Sequence, residues 1–185
     1  YVCMSLMASL SIGGDLPDFS QSRPCRSIIL LGEDGAEDSF KARMDAMEAD
    51  DTMYEALAMA SLEEKGIPAN LKQASFRASL RRHIEDNDIG LLVIDPIASF
   101  MPGIDPRGEI NVREVLTPLN AMADSTGCAV IAVVHQNKDR KQTNQLHRIS
   151  GSQAFGAVPR SVLWVHESPS DESLTIVETL KHNLS

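Results

Sequence analysis

The sequence predicts an α/β fold built on a mainly parallel sheet with helices on both faces. Three observations carry that expectation. Leu91-Leu92-Val93-Ile94 runs without a polar break into Asp95-Pro96, and a continuous apolar run of that kind suits a strand buried on both faces. Ser27-Ile28-Ile29-Leu30-Leu31 and the stretch from Cys128 to Val134 repeat the pattern. Between these runs lie segments with apolar residues three and four apart, the alternation from which parallel sheets are assembled.

Taken in order, residues 1–12 carry Val2, Met4, Leu6, Met7 and Leu10, the density of a largely buried helix, which Gly13-Gly14 ends. Residues 15–26, with two prolines, read as loop. After the strand at 27–31 comes Gly32-Glu33-Asp34, then an acidic amphipathic helix over 36–49 with Phe40, Met44 and Met47 on one face. Residues 51–65 read as a further helix, broken by Gly66 and Pro68. A helix over 71–84 carries Lys72, Arg77, Arg81 and Arg82 and leads into the strand ending at Asp95. Residues 97–110, rich in Gly and Pro, predict a flexible loop. Val112, Val115, Leu116, Leu119 and Met122 mark a helix with Pro118 as the place for a kink. The strand at 128–134 ends in His135-Gln136-Asn137, a polar loop runs to Ser150, and two strands follow at 161–165 and 174–180.

Composition narrows the function classes. The chain has 185 residues, of which 43% are apolar, enough for one domain with a sizeable core. A net charge of -9 argues against a protein that coats nucleic acid with its whole surface, while leaving room for a local basic patch. Cys3, Cys25 and Cys128 have neither paired nor metal-ligand spacing, which points to a reducing, cytoplasmic setting. No apolar stretch is long enough to span a bilayer, so no membrane partner is expected. The chain opens inside a helical segment and stops just after a strand, the pattern of a single domain, residues 1–185, truncated at both ends.

Three of the apolar runs end in groups able to do chemistry: Glu33, Asp95 and His135. If their strands are parallel neighbours, all three gather at the carboxyl edge of the sheet, where open α/β sheets bind ligands. A carboxylate such as Asp95 can hold a magnesium ion beside a nucleotide phosphate; it can equally end a strand in an Asp-Pro turn. His135 can act on a ligand or be satisfied by a backbone carbonyl. Together these residue types position water and metal for phosphate chemistry. Serine-hydrolase chemistry lacks its G-x-S-x-G string, and the five histidines fit no zinc spacing.

Leu91–Pro96 looks like a Walker B strand, and Gly32-Glu33-Asp34 resembles the strand end where RecA-like ATPases place a catalytic glutamate. Val133-Val134-His135-Gln136, Ile149-Ser150-Gly151-Ser152 and Ala157-Val158-Pro159-Arg160 continue the resemblance in the same order. The pattern, which covers nearly the whole chain, is similar to the RepA-like replicative helicases, hexameric RecA-fold P-loop ATPases of plasmids and phages. The resemblance implies ATP and Mg as cofactors, single-stranded DNA as a partner, and a homo-oligomeric, hexameric ring. It further implies that Glu33 orients or deprotonates the attacking water and that Asp95 holds the magnesium shell. On the same resemblance, His135 and Gln136 would sense the γ-phosphate, and Arg160 would be the arginine finger reaching a neighbouring subunit, with Lys181 as second candidate.

The sequence departs from that family in lacking a P-loop, G-x-x-x-x-G-K-S/T. The resemblance places that loop and its strand just upstream of Tyr1, so this chain alone is expected not to hydrolyse ATP. Lys138, Arg140, Lys141 and Arg148, with His147, concentrate positive charge between Asn137 and Ser150 in an otherwise acidic protein. That suits contact with single-stranded DNA phosphates, without aromatic residues for base stacking; a merely solvated loop has the same composition. Two rivals stay open: a RecA-like ATPase that loads or remodels proteins on DNA, and a non-enzymatic DNA-binding subunit with a dead ATP site.

Overall fold

The computed structural model describes residues 1–16, 20–33, 36–105, 108–135 and 153–183. Contacts divide the chain into two compact units, residues 1–103 with 118–134, and residues 104–117 with 135–185.

The first unit is organised by a sheet of four parallel strands in the order β2-β1-β3-β4. These are β1 (Arg26–Leu31), β2 (Tyr54–Ala58), β3 (Ile89–Asp95) and β4 (Ala129–Ala132). The strands that end near Leu31, Asp95 and Val134 are therefore successive parallel neighbours, as the apolar runs predict. Backbone pairing continues past β4, since Val133 N donates to Ile94 O at 2.9 Å and Ile97 N to Val133 O at 3.0 Å.

Both faces of the central strands are closed. Ile29 and Val93 on one face, and Ile28, Leu30, Leu92 and Ile94 on the other, are all 0% exposed. Helix α1 (Val2–Ile12) lays Met4, Met7 and Ala8 on the first face, against Ile29, Leu31, Leu91 and Val93. Gly13 ends it in the left-handed region at φ 69°, where a Cβ is unfavourable. Helix α2 (Ala36–Ala46) adds Phe40 and Met44 to the same cluster. Helix α4 (Ala74–Asp86) serves the opposite face: its His83 Nε2 meets Glu55 Oε2 at 2.6 Å, and Glu55 is in register with Ile28.

Two segments differ from the sequence reading. Residues 51–65 are not one helix but β2 followed by the short helix α3 (Met59–Glu64). Glu, Ala and Leu favour helices, yet pairing of Tyr54–Ala58 with Ser27–Leu31 of β1 outweighs that weak preference. Residues 97–110 are not wholly loop either. Ile97–Phe100 forms a 3-10 turn whose Ile97 and Phe100 are fully buried, with Met101 buried beside them in sequence. Gly and Pro mark the chain's freedom to turn, but the apolar side chains decide that it turns inward. Helix α5 (Glu109–Thr126) runs through Pro118.

In the second unit, a four-residue helix α6 (Ala154–Ala157) precedes β5 (Ser161–Glu167) and β6 (Thr175–His182), an antiparallel pair. Trp164 stacks on His166 with ring centroids 4.0 Å apart.

Candidate functional site

The order β2-β1-β3-β4 reverses direction between β1 and β3, because the chain leaves β1 to one side and returns to the other. Crossovers leave in opposite directions from such a point and open a crevice at the carboxyl ends of the two strands. Those ends carry the candidate carboxylates. Leu31 is in register with Asp95, and Gly32 N donates to Asp95 O at 2.9 Å, so the ladder holds together to the residue before Glu33. Asp95 is half-buried and Glu33 exposed.

Which face Asp95 serves follows from register. Leu31 and Asp95 are paired and alternate in step with Ile29 and Val93, so Asp95 belongs to the face covered by α1. The Cys3 thiol in the first turn of α1 is raised above its usual range, chiefly by burial and next by the negative charge of Asp95, with the amino terminus pulling the other way. The amino end of α1 and the Asp95 carboxylate therefore share one corner of the first unit. Helix α1 has no acid in that first turn and no side-chain cap on it. A helix amino end presents unsatisfied N–H groups and partial positive charge, the setting in which phosphates bind.

The donor chemistry fits a magnesium ion shared with a phosphate. Among the described residues no three His, Cys, Asp or Glu side chains gather as a metal cage. Magnesium does not need one: it keeps several waters and takes one or two carboxylates plus substrate phosphates. Asp95, with Glu33 at the end of the adjacent strand, is the carboxylate here that could hold such an ion.

The remaining sequence candidates stand in the second unit or outside the described residues. His135, next in the chain after Val134, belongs to the second unit and is exposed. Arg160 lies exposed just ahead of β5, and its carbonyl accepts from Asn183 N at 2.9 Å. Lys181 Nζ donates to Ala157 O and Pro159 O, both at 2.7 Å, so its ammonium secures the end of α6 to β6. Gln136, Lys138, Arg140, Lys141 and Arg148 lie outside the described residues.

Two features escape the sequence reading. One is Cys3 as a marker of α1's proximity to Asp95, for which a lone cysteine gives no signal. The other is Ser99, which packs against Gly32 across the strand ends. Its signal is indirect: a glycine just before a strand-end acid.

Among the described residues, no helix is long and apolar enough to cross a membrane. A family model described as an AAA domain matches residues 1–141. No curated protein matches the sequence. Among solved structures, a KaiC-like protein from the hyperthermophilic archaeon Pyrococcus horikoshii OT3 is similar, with a TM-score of 0.59 at 17% identity, over 86% of this chain and 66% of that one. Likeness at that identity speaks to the fold, and the chain spans less than two thirds of its neighbour's length.

Proposed function

Because the chain belongs to the AAA domain family and has the fold of RecA-like ATPases, we propose that the full-length protein is a cytoplasmic, ring-forming replicative helicase that couples ATP hydrolysis to movement on single-stranded DNA. The observation that carries the ATPase part is the corner where α1's first turn, Asp95 and the β1 end before Glu33 meet at a topological switch point.

In this reading the amino end of α1 receives the ATP phosphates. Asp95 would hold a magnesium ion, which would supply positive charge to the nucleotide phosphates. Glu33 orients the attacking water and accepts its proton, its exposed position leaving the carboxylate within reach of solvent. His135 and Gln136, directly after the β4 segment, report the γ-phosphate to the basic loop that follows. Arg160 supplies positive charge to a neighbouring subunit's nucleotide. Lys181, whose ammonium donates to Ala157 O and Pro159 O, is the second candidate for it.

The helicase part rests on Lys138, Arg140, Lys141 and Arg148, set in an acidic chain immediately after the sensor residues. The test is ATP turnover of the full-length protein with and without single-stranded DNA. DNA should raise turnover, and neutralising Lys138, Arg140 and Lys141 together should abolish the rise, because coupling between two binding sites is reciprocal. Each lost phosphate contact should also flatten the log–log salt dependence of binding by roughly 0.7. Undiminished stimulation with an unchanged slope would leave an ATPase that acts on protein partners as the better reading.

A further inference from the structure

Gly32 has no conformational need to be glycine, since its φ lies outside the left-handed region. Its need is steric. A Cβ built on Gly32 would fall onto Ser99 Cβ, 2.6 Å from Ser99 Oγ and 3.2 Å from Pro96 Cδ. The turn bearing Ser99 cannot retreat. Ile97 and Phe100 on either side of it are 0% exposed. Ile97 N is bonded to Val133 O at 3.0 Å, and Phe100 O accepts from Leu71 N at 2.8 Å. Any side chain at position 32 must therefore push the end of β1 away, and with it Glu33. That end is otherwise tied to β3 through Gly32 N and Asp95 O.

From this packing we infer that Gly32 and Ser99 are positioning residues, whose close contact sets the placement of Glu33 relative to Asp95. Neither touches substrate: a Cβ on Gly32 points to the face opposite the one that Asp95 shares with α1. Their contact acts by seating the β1 terminus against the turn that leaves β3. The inference rests on the roles given above to Glu33 and Asp95.

The experiment measures kcat, KM for MgATP and melting temperature in the full-length protein, for Gly32→Ala alone and combined with Ser99→Gly or Ser99→Ala. Glu33→Gln serves as the reference for loss of the carboxylate. Gly32→Ala should lower kcat about 10- to 100-fold, as misplacement of a reacting group by about an ångström does, while KM changes little. Adding Ser99→Gly removes the obstructing Cβ and should restore most of kcat. Adding Ser99→Ala leaves that Cβ in place and should not.

A Gly32→Ala enzyme within twofold of the parent, beside an inactive Glu33→Gln, would overturn the positioning role and leave the ATPase reading intact. A fully active Glu33→Gln enzyme would instead remove the assignment of Glu33 on which the inference stands. Should Gly32→Ala alone fail to fold, the Gly32→Ala/Ser99→Gly pair decides: folded and active supports the inference, folded and inactive refutes it.

Discussion

Replacing Met7 by alanine tests the placement of α1, on which the candidate site depends. Met7 is 0% exposed and sits in one cluster with Ile29, Leu31, Leu91 and Val93. Its strand neighbours are held in the paired ladders of β1 and β3, so the void left by truncation cannot easily collapse. Burying a methionine and then deleting it costs about 2–5 kcal/mol, and a rigid wall favours the middle of that range, about 3 kcal/mol. For a chain of this size that corresponds to a fall in Tm of roughly 6–12 °C. Ile12, in the last turn of the same helix and 56% exposed, is the control; Ile12→Ala should stay within about 0.5 kcal/mol. Urea unfolding reads both, with the midpoint of Met7→Ala lowered and the slope unchanged. A Met7→Ala loss below about 1 kcal/mol, or an equal loss for Ile12→Ala, would remove α1 from the sheet face, since neither is compatible with the burial difference.

Cys128 makes stability depend on alkaline pH. Burial is the main reason its thiol is raised from 9.0 to about 11. Below pH 9 the thiol is neutral whether the chain is folded or not, so its contribution is fully present there. Between pH 9 and 11 the unfolded chain ionises first, and stability falls as pH rises, by roughly 2–3 kcal/mol over the window. Denaturation across that range should show a shallower decline for Cys128→Ala than for the parent; parallel declines would contradict the raised thiol. Ser27 Oγ, in contrast, is buried without a hydrogen-bond partner among the described residues. Ser27→Ala should therefore be neutral or stabilising by up to about 1–2 kcal/mol, and a clear loss of stability in calorimetry would mean that the hydroxyl has a partner.

The parts of this fold visible in the sequence are those whose signal is local. The apolar runs at Ile28–Leu31 and Leu91–Ile94 suited doubly buried strands, and they are central neighbours in the sheet. Their terminal acids followed from strand direction alone. Tyr54–Ala58 was invisible as a strand because its residues favour helix and its partner, β1, lies more than twenty residues away. The turn at Ile97–Phe100 was hidden by its Gly- and Pro-rich surroundings, although its two apolar residues carried the cue. The Gly32–Ser99 contact joins two strand ends and has no counterpart in any single stretch of sequence.

Hydrolysis by Glu33→Gln under single-turnover conditions tests the central claim most directly. The side chain is exposed at a strand end, so the substitution should leave the fold and the binding of MgATP as they are. It removes the carboxylate that orients and deprotonates water, and the chemical step should slow by about 100-fold or more. Full-length protein that binds MgATP like the parent yet hydrolyses it at least that much more slowly is the predicted result. Turnover within a few-fold of the parent would contradict the account, for the corner formed by α1, β1 and β3 would then bind without Glu33 doing the chemistry.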